Sequence, residues 1–470
     1  MRSLLGVMLL LCQPLAYAQL PSPVSEALGK AGVPQEAVSV YVQSVDRQGG
    51  QRISLVDHRT DMSMNPASTM KLVTTYAGLE LLGPAYRWRT EVYRDGALNQ
   101  GVLEGNLILK GYGDPELMAQ DLWRLVNRLR QSGVREIRGD LVLDNTYFAS
   151  MAPDEAVFDN EPYRAYNAAP GALVSNLKST SFRFLADGQP LTIQADPELP
   201  EIAIVNQVKW VAGGCGDWKS RLSYSVARQE QRSTVTFGGS YATACGEKVL
   251  ELNVMGEPAY TSNLFRSLWK QVGGSLSGVT RLQATPVTAS KLFQQESQPL
   301  ADVIRPINKY SNNLMARQLF LTLGAEKVAV PAREADGDKA VRAWLAGKGL
   351  NFPELVLENG AGLSRIERIS AAHLGELLQQ AYASPVMPEL MSSLPVLAVD
   401  GTTRKRLNGS AAQGRAHLKT GSLEGVRAIA GYLLDQYDRR WVVVFMVNHP
   451  SAGATKAAQD ALLDWIYQQP

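Results

Sequence analysis

The stretch that most constrains the fold is residues 70–82. Met70, Leu72, Val73, Tyr76, Ala77, Leu79 and Leu82 recur at helical spacing, and the pattern stops at Gly83-Pro84. So apolar a segment predicts a helix buried in a domain core. Asn65-Pro66 precedes it, which places Ser68 in its first turn and Lys71 one turn later on the same face. A lysine there is drawn into a low-dielectric setting, where an ammonium is costly.

Short β-rich runs at residues 39–43 and 52–56, separated by Gly49-Gly50, predict a hairpin. The other end of the chain mirrors it. Residues 425–434 and 441–447 read as strands around a polar turn, and 457–467 as an amphipathic helix. Elements from both termini are expected to complete one domain, 19–85 plus 290–470. Between them the pattern changes to short strands at 102–110, 141–143, 203–210 and 233–238, with a helical stretch at 117–131. This predicts a mostly β insertion, divided into one module of 86–110 plus 190–289 and another of 111–189. Helical periodicity returns at 300–323 and 371–382. No internal repeat or low-complexity segment is evident.

A chain of 470 residues exceeds what one core usually supports, which agrees with several domains. With 47 basic against 45 acidic residues, the formal net charge is +2 and no basic run stands out. Such a balance argues against nucleic acid or an anionic membrane as partner. At the start, Arg2, an apolar stretch over 4–12 and Ala16-Tyr17-Ala18 read as a cleaved signal peptide, residues 1–18, and export to the periplasm. The apolar stretch is too short to span a bilayer. Cys12 leaves with the signal peptide, so Cys215 and Cys245 are the cysteines of the mature chain. An oxidising compartment suggests that they pair, which would contribute about 3 to 4 kcal/mol on a chain-entropy account. The alternative is two free buried thiols. Leu462, Leu463, Trp465 and Ile466 are expected to pack on the terminal sheet, leaving at most a loose membrane association.

Several chemistries lack support. His58, His373, His417 and His449 are scattered, with no zinc spacing, so no metal or other cofactor is expected. The stretch 213–220 ends in Lys-Ser, but Trp218 stands where a phosphate loop needs glycine, and no G-x-S-x-G elbow occurs. Lysine-assisted serine chemistry remains. Ser-x-x-Lys occurs at Ser68–Lys71, Ser175–Lys178 and Ser267–Lys270, so the motif alone says little. Only the first copy opens an apolar helix. Ser-x-Asn occurs at Ser63-Met64-Asn65, too near Ser68 to form a separate wall, and at Ser311-Asn312-Asn313, which opens a helix over 313–321. Lys419-Thr420-Gly421 occurs once, on a strand-like run leading into Ser422. The order of helix, second helix and strand matches the S-x-x-K, S-x-N, K-T-G set of penicillin-recognising acyl-transfer enzymes.

The surrounding residues extend the match. Asn65-Pro66-Ala67-Ser68-Thr69-Met70-Lys71, Tyr310-Ser311-Asn312-Asn313-Leu314-Met315-Ala316, Glu358-Asn359-Gly360-Ala361-Gly362-Leu363-Ser364-Arg365, Asp400-Gly401-Thr402 and His417-Leu418-Lys419-Thr420-Gly421-Ser422-Leu423 together resemble the D-alanyl-D-alanine carboxypeptidase/endopeptidase family of class C penicillin-binding proteins. The resemblance covers nearly the whole mature chain and includes the large two-module insertion. It implies an α+β fold with an antiparallel sheet and flanking helices, peptidoglycan stem peptides as substrate, and β-lactams as acylating inhibitors. It implies Ser68 as nucleophile, with Ser311 and Lys419 relaying a proton to the leaving amine; Lys71 is the nearest candidate for the base, and the choice between the two lysines stays open. Asn313 would hold Lys71 and the substrate amide. The oxyanion would meet the backbone N–H groups of Ser68 and Ser422, and the terminal carboxylate would meet Thr420 and Ser422, with Gly421 between them. An aspartate of the insertion, matched to Asp144, would receive the diaminopimelate amino group; the competing reading of Asp144 is a turn cap after a strand. A β-lactamase and a non-catalytic wall-binding protein are the alternatives on the same fold. No dedicated deacylating glutamate is identified, and the intact motifs argue against loss of catalysis.

Overall fold

The computed structural model describes residues 19–48, 51–150, 155–186 and 191–470. The expected signal peptide, with Arg2 and Cys12, and the Gly49-Gly50 turn lie outside the described residues. Five antiparallel strands form the main sheet: β1 (Val38–Gln48), β2 (Gln51–His58), β3 (Ala416–Leu423), β4 (Val426–Leu434) and β5 (Arg440–Asn448), in the order β3-β4-β5-β1-β2. The two chain ends meet where β1 pairs with β5, with Val40 opposite Phe445 and Val42 opposite Val443. One domain is thus completed by both termini.

Both faces of this sheet are covered, which explains why β5 reads as a continuous apolar run. Val442, Val444 and Met446 face one core, shared with Leu72, Tyr76, Leu319 and Leu374, whereas Val443, Phe445 and Val447 face another, shared with Val24, Leu28, Leu462, Leu463 and Ile466. The alternation follows from the two-residue period of a strand. Each fully buried side chain of this kind contributes roughly 1.5 to 3 kcal/mol. The second core is closed by helices Ser22–Lys30 and Lys456–Tyr467, which pack together. That contact buries the apolar stripe of the final helix, and no helix among the described residues is long and apolar enough to cross a membrane.

One expectation at the helices needs correction. Ser68 does not lie inside the α-helix: Ala67–Met70 form a 3₁₀ turn, and the helix proper is Lys71–Leu82. Ala67 has φ 46°, held by its own N–H donating to Asn65 Oδ1 at 2.8 Å. The helical run over 300–323 is two helices, Leu300–Lys309 and Asn313–Lys327. A single left-handed residue, Ser311 at φ 61°, makes the break, and the Asn312 side chain caps the second helix by accepting from Met315 N at 3.0 Å. The helix expected over 313–321 thus begins at Asn313 and runs on to Lys327.

The insertion carries four small sheets and the helices Ala119–Gln131 and Ala259–Gln271. The run over 102–110 is divided into strands Val102–Glu104 and Leu107–Gly111, which belong to different sheets. Leu107–Gly111 pairs in parallel with Leu141–Asp144, across the boundary expected at residue 110. The run over 203–210 is likewise two strands, Ile202–Asn206 and Lys209–Val211, both parallel to Ser233–Ala242. Cys215 and Cys245 are joined in a disulfide, with Cα atoms 4.6 Å apart.

Candidate active site

The 3₁₀ turn presents Ser68 to the side chain one turn later: Lys71 Nζ lies 3.0 Å from Ser68 Oγ. Lys71 is fully buried, and its other partners are Asn313 Oδ1 at 2.7 Å and the carbonyl oxygen of Ala361. The first arrives from the helix beginning at Asn313, the second from the loop 358–364. Lys419 on β3 donates to Ser311 Oγ at 2.8 Å and to its neighbour's carbonyl, Thr420 O, at 2.9 Å. The left-handed conformation of Ser311 is what lets a hydroxyl between two helices reach that amine. Gly421 is required where β3 crosses the nucleophile turn: a Cβ there would fall 2.7 Å from Pro66 O and 3.2 Å from Ser68 N. The absent side chain brings the β3 backbone and exposed Ser422 beside the Ser68 amide. Ser68, Lys71, Ser311, Asn313, Lys419, Thr420, Gly421 and Ser422 therefore converge from three separate segments of chain, and the loop 358–364 joins them.

The two amines are electrically unusual. Burial lowers the Lys71 pKa to about 7, with the Glu367 carboxylate pulling the other way. Lys419 is lowered well below the ordinary lysine range by burial and then by the charge of Lys71. The partners of Lys71 fix where its lone pair points. Ala361 O accepts only, and Asn313 Oδ1 accepts while its Nδ2 donates to Tyr166 O at 3.2 Å. A neutral amine gives its two N–H groups to those oxygens and turns its lone pair toward Ser68 Oγ.

Sequence reasoning missed three contributors. Ala361 O is a main-chain acceptor; the visible signal was the Gly360-Ala361-Gly362 string, whose glycines have φ 68° and 75°. A Cβ at Gly362 would fall 1.9 Å from Ala67 O, so the loop closes directly on the nucleophile turn. Thr402 accepts the Thr420 hydroxyl at 2.7 Å, and the preceding Asp400 holds Lys309 at 2.6 Å. Together they tie β3 to the segment before Ser311. The third is Tyr166, from the insertion, whose hydroxyl donates to Asp159 Oδ2 at 2.8 Å.

Asp144 lies at the end of its strand with the contacts of the turn-cap reading. Its side chain is fully buried, and its oxygens accept from Thr146 N and Oγ1 and from Thr285 N and Oγ1, all between 2.6 and 2.9 Å. Lys110 Nζ lies 3.7 Å away. A carboxylate so fully engaged ties two strand ends together and has no oxygen free for a substrate amine. The insertion reaches the site instead through 165–177: a cleft of about 500 Å³ runs from Ser311 and Asn313 past Tyr166 and Leu177 to Asp196 and Glu251. A larger cavity of about 630 Å³, lined by Phe148, Lys178 and Arg228 among others, includes none of the converging residues. Size alone does not locate this site. No cluster suited to a metal ion occurs among the described residues.

The family model of the D-Ala-D-Ala carboxypeptidase 3 (S13) family matches residues 20–469. The chain belongs to this family. It is 32% identical over 84% of its length to a D-alanyl-D-alanine carboxypeptidase of Actinomadura sp. (strain R39), covering 76% of that protein. It is 28% identical over 85% of its length to the D-alanyl-D-alanine carboxypeptidase DacB of Haemophilus influenzae, covering 83% of that protein. The crystal structure of penicillin binding protein 4 (dacB) from Haemophilus influenzae superposes with a TM-score of 0.79 at 24% identity, over 95% of this chain and 99% of that one. The same protein is also known in complex with a β-lactam, with a TM-score of 0.74. The fold is thus the α+β penicillin-recognising DD-peptidase fold, and this S13 member is a D-Ala-D-Ala carboxypeptidase acting in peptidoglycan.

Proposed function

We propose that this carboxypeptidase is an exported serine enzyme that works through an acyl-enzyme on Ser68, with Lys71 as base. The observation that carries the reading is the set of partners around Lys71 Nζ, which leaves Ser68 Oγ, 3.0 Å away, as the group facing the lone pair. A base with a pKa of about 7 is matched to neutral pH. Ser68 Oγ attacks the carbonyl carbon of the penultimate D-Ala while its proton passes to Lys71. Backbone N–H groups of Ser68 and Ser422 receive the oxyanion, each such donor contributing about 3 kcal/mol. The terminal carboxylate lies against Thr420 and Ser422 beside Lys419, and the departing amine takes its proton through Ser311, already bonded to Lys419. Water then attacks the acyl carbon and releases the shortened stem.

The same steps cleave a cross-link when the leaving amine belongs to diaminopimelate, which makes the protein an endopeptidase as well. β-Lactams, presenting a strained amide and a carboxylate in the same arrangement, acylate Ser68 and are released slowly. Mass spectrometry of intact protein after penicillin is the direct test: one adduct is expected on the native protein and none on Ser68→Ala. An unlabelled native protein would leave the wall-binding alternative, and rapid β-lactam turnover the β-lactamase. Muropeptide analysis after digestion separates lost D-Ala from lost dimers, and unchanged dimers would remove the endopeptidase activity.

A further inference from the structure

The loop 358–364 that supplies Ala361 O is organised around one fully buried carboxylate, Glu367, which the steps above do not use. Glu367 Oε1 accepts three consecutive backbone N–H groups, from Glu358 at 3.1 Å and from Asn359 and Gly360 at 3.0 Å each. Ser364 Oγ accepts from Glu367 N at 3.0 Å, Asn359 Oδ1 from Ala361 N at 2.9 Å, and Thr74 Oγ1 donates to Gly360 O at 2.6 Å. The turn is thereby pinned with its Ala361 carbonyl aimed at Lys71. Glu367 Oε2 is buried and has no hydrogen-bond partner among the described residues.

We propose that Glu367 is a positioning residue for Lys71: its carboxylate fixes the turn that aims Ala361 O at Nζ, and it is the buried counter-charge to that amine. This rests on the reading of Lys71 as base. The titratable groups facing Lys71 are Glu367, whose pKa burial raises while the three loop N–H groups and Lys71 itself pull it back down, and, from β3, Lys419; the helix at Asn313 contributes a neutral amide. Arg368 bonds the carbonyl oxygen of Glu367 and not its carboxylate. Two buried amines with no negative charge nearby would both lose their protons far below neutrality, and a base that weak accepts a proton from serine poorly. An anion next to one of them restores basicity to that one, which is how two lysines in a single site come to have different tasks.

The test is the pH profile of penicillin acylation in the full chain, compared among native protein, Glu367→Gln and Glu367→Leu. Gln keeps an oxygen for the three N–H groups and removes the charge. The expected result is an acidic limb moved down by about one pH unit, with a plateau reduced roughly three- to tenfold. Glu367→Leu also loses the turn, so its acylation falls further at every pH. An unmoved limb in Glu367→Gln with normal folding overturns the counter-charge, and equal rates for all three proteins overturn the positioning role. Failure of the native protein to acylate would be failure of the Ser68 mechanism instead, so the two are told apart.

Discussion

Two copies of one four-residue spelling sit in this molecule in unlike surroundings. At Ser68–Lys71 the hydroxyl and amine are 3.0 Å apart, and the amine is otherwise held by uncharged oxygens. At Ser175–Lys178 the hydroxyl bonds Thr261 Oγ1 at 2.9 Å, and the amine pairs with Glu155 at 2.8 Å, which Arg228 also holds at 2.8 Å. Asn176, Leu177 and Lys178 take φ of 47°, 55° and 51°, so the second copy is not helical and does not stack its serine under its lysine. Both lysines are buried. A direct ion pair makes one structural; its absence leaves the other ready to give up a proton.

The comparison breaks most visibly at the serines. Ser68→Ala should reduce carboxypeptidase rate by about 10⁴-fold or more, while Ser175→Ala should acylate with penicillin at the native rate and lose only about 1 kcal/mol of stability. Acylation kinetics on both variants decide this, and a comparable loss in each would erase the distinction. At the lysines the effects should cross. Lys71→Met is expected to lower acylation by roughly 10² to 10⁴-fold with a small change in melting temperature. Lys178→Met should cost about 3 kcal/mol, because it strips one partner from a buried carboxylate, and should leave the acylation rate of the folded fraction near native. The smallest effect concerns pH. Lys71 is active when neutral, so acylation should rise about tenfold per pH unit on the acid side and level off above about pH 7. Stopped-flow acylation from pH 5 to 9 checks it; a level profile would remove Lys71 as the base.

Much of the main domain was legible because its signals are local. The apolar runs of β4 and β5 on either side of a polar turn, the final helix and the helix Ala371–Tyr382 are local signals of this kind, and the motif residues lie together as their order along the chain suggested. What was not legible depends on main-chain atoms and on contacts across sequence. Ala361 contributes a carbonyl, which no side-chain pattern encodes. Ser311 was expected at a helix start, but the positive φ that aims its hydroxyl has no side-chain pattern to announce it. Asp144 has the right residue type beside an apolar strand, but only the far partners Thr285 and Lys110 reveal that its oxygens are committed. In the insertion only the runs at 102–110, 141–143, 203–210 and 233–238 were legible; strands such as Thr180–Leu185 and Leu222–Arg228 were not, and the parallel pairings join residues too distant for any local signal.

The seam between β1 and β5 governs when hydrolytic power can arise. A growing polypeptide acquires its serine and first amine early, but the edge carrying Lys419 can dock only after nearly all the remaining residues have emerged. On the proposed mechanism, a molecule lacking its last strand is therefore expected to be inert toward the wall.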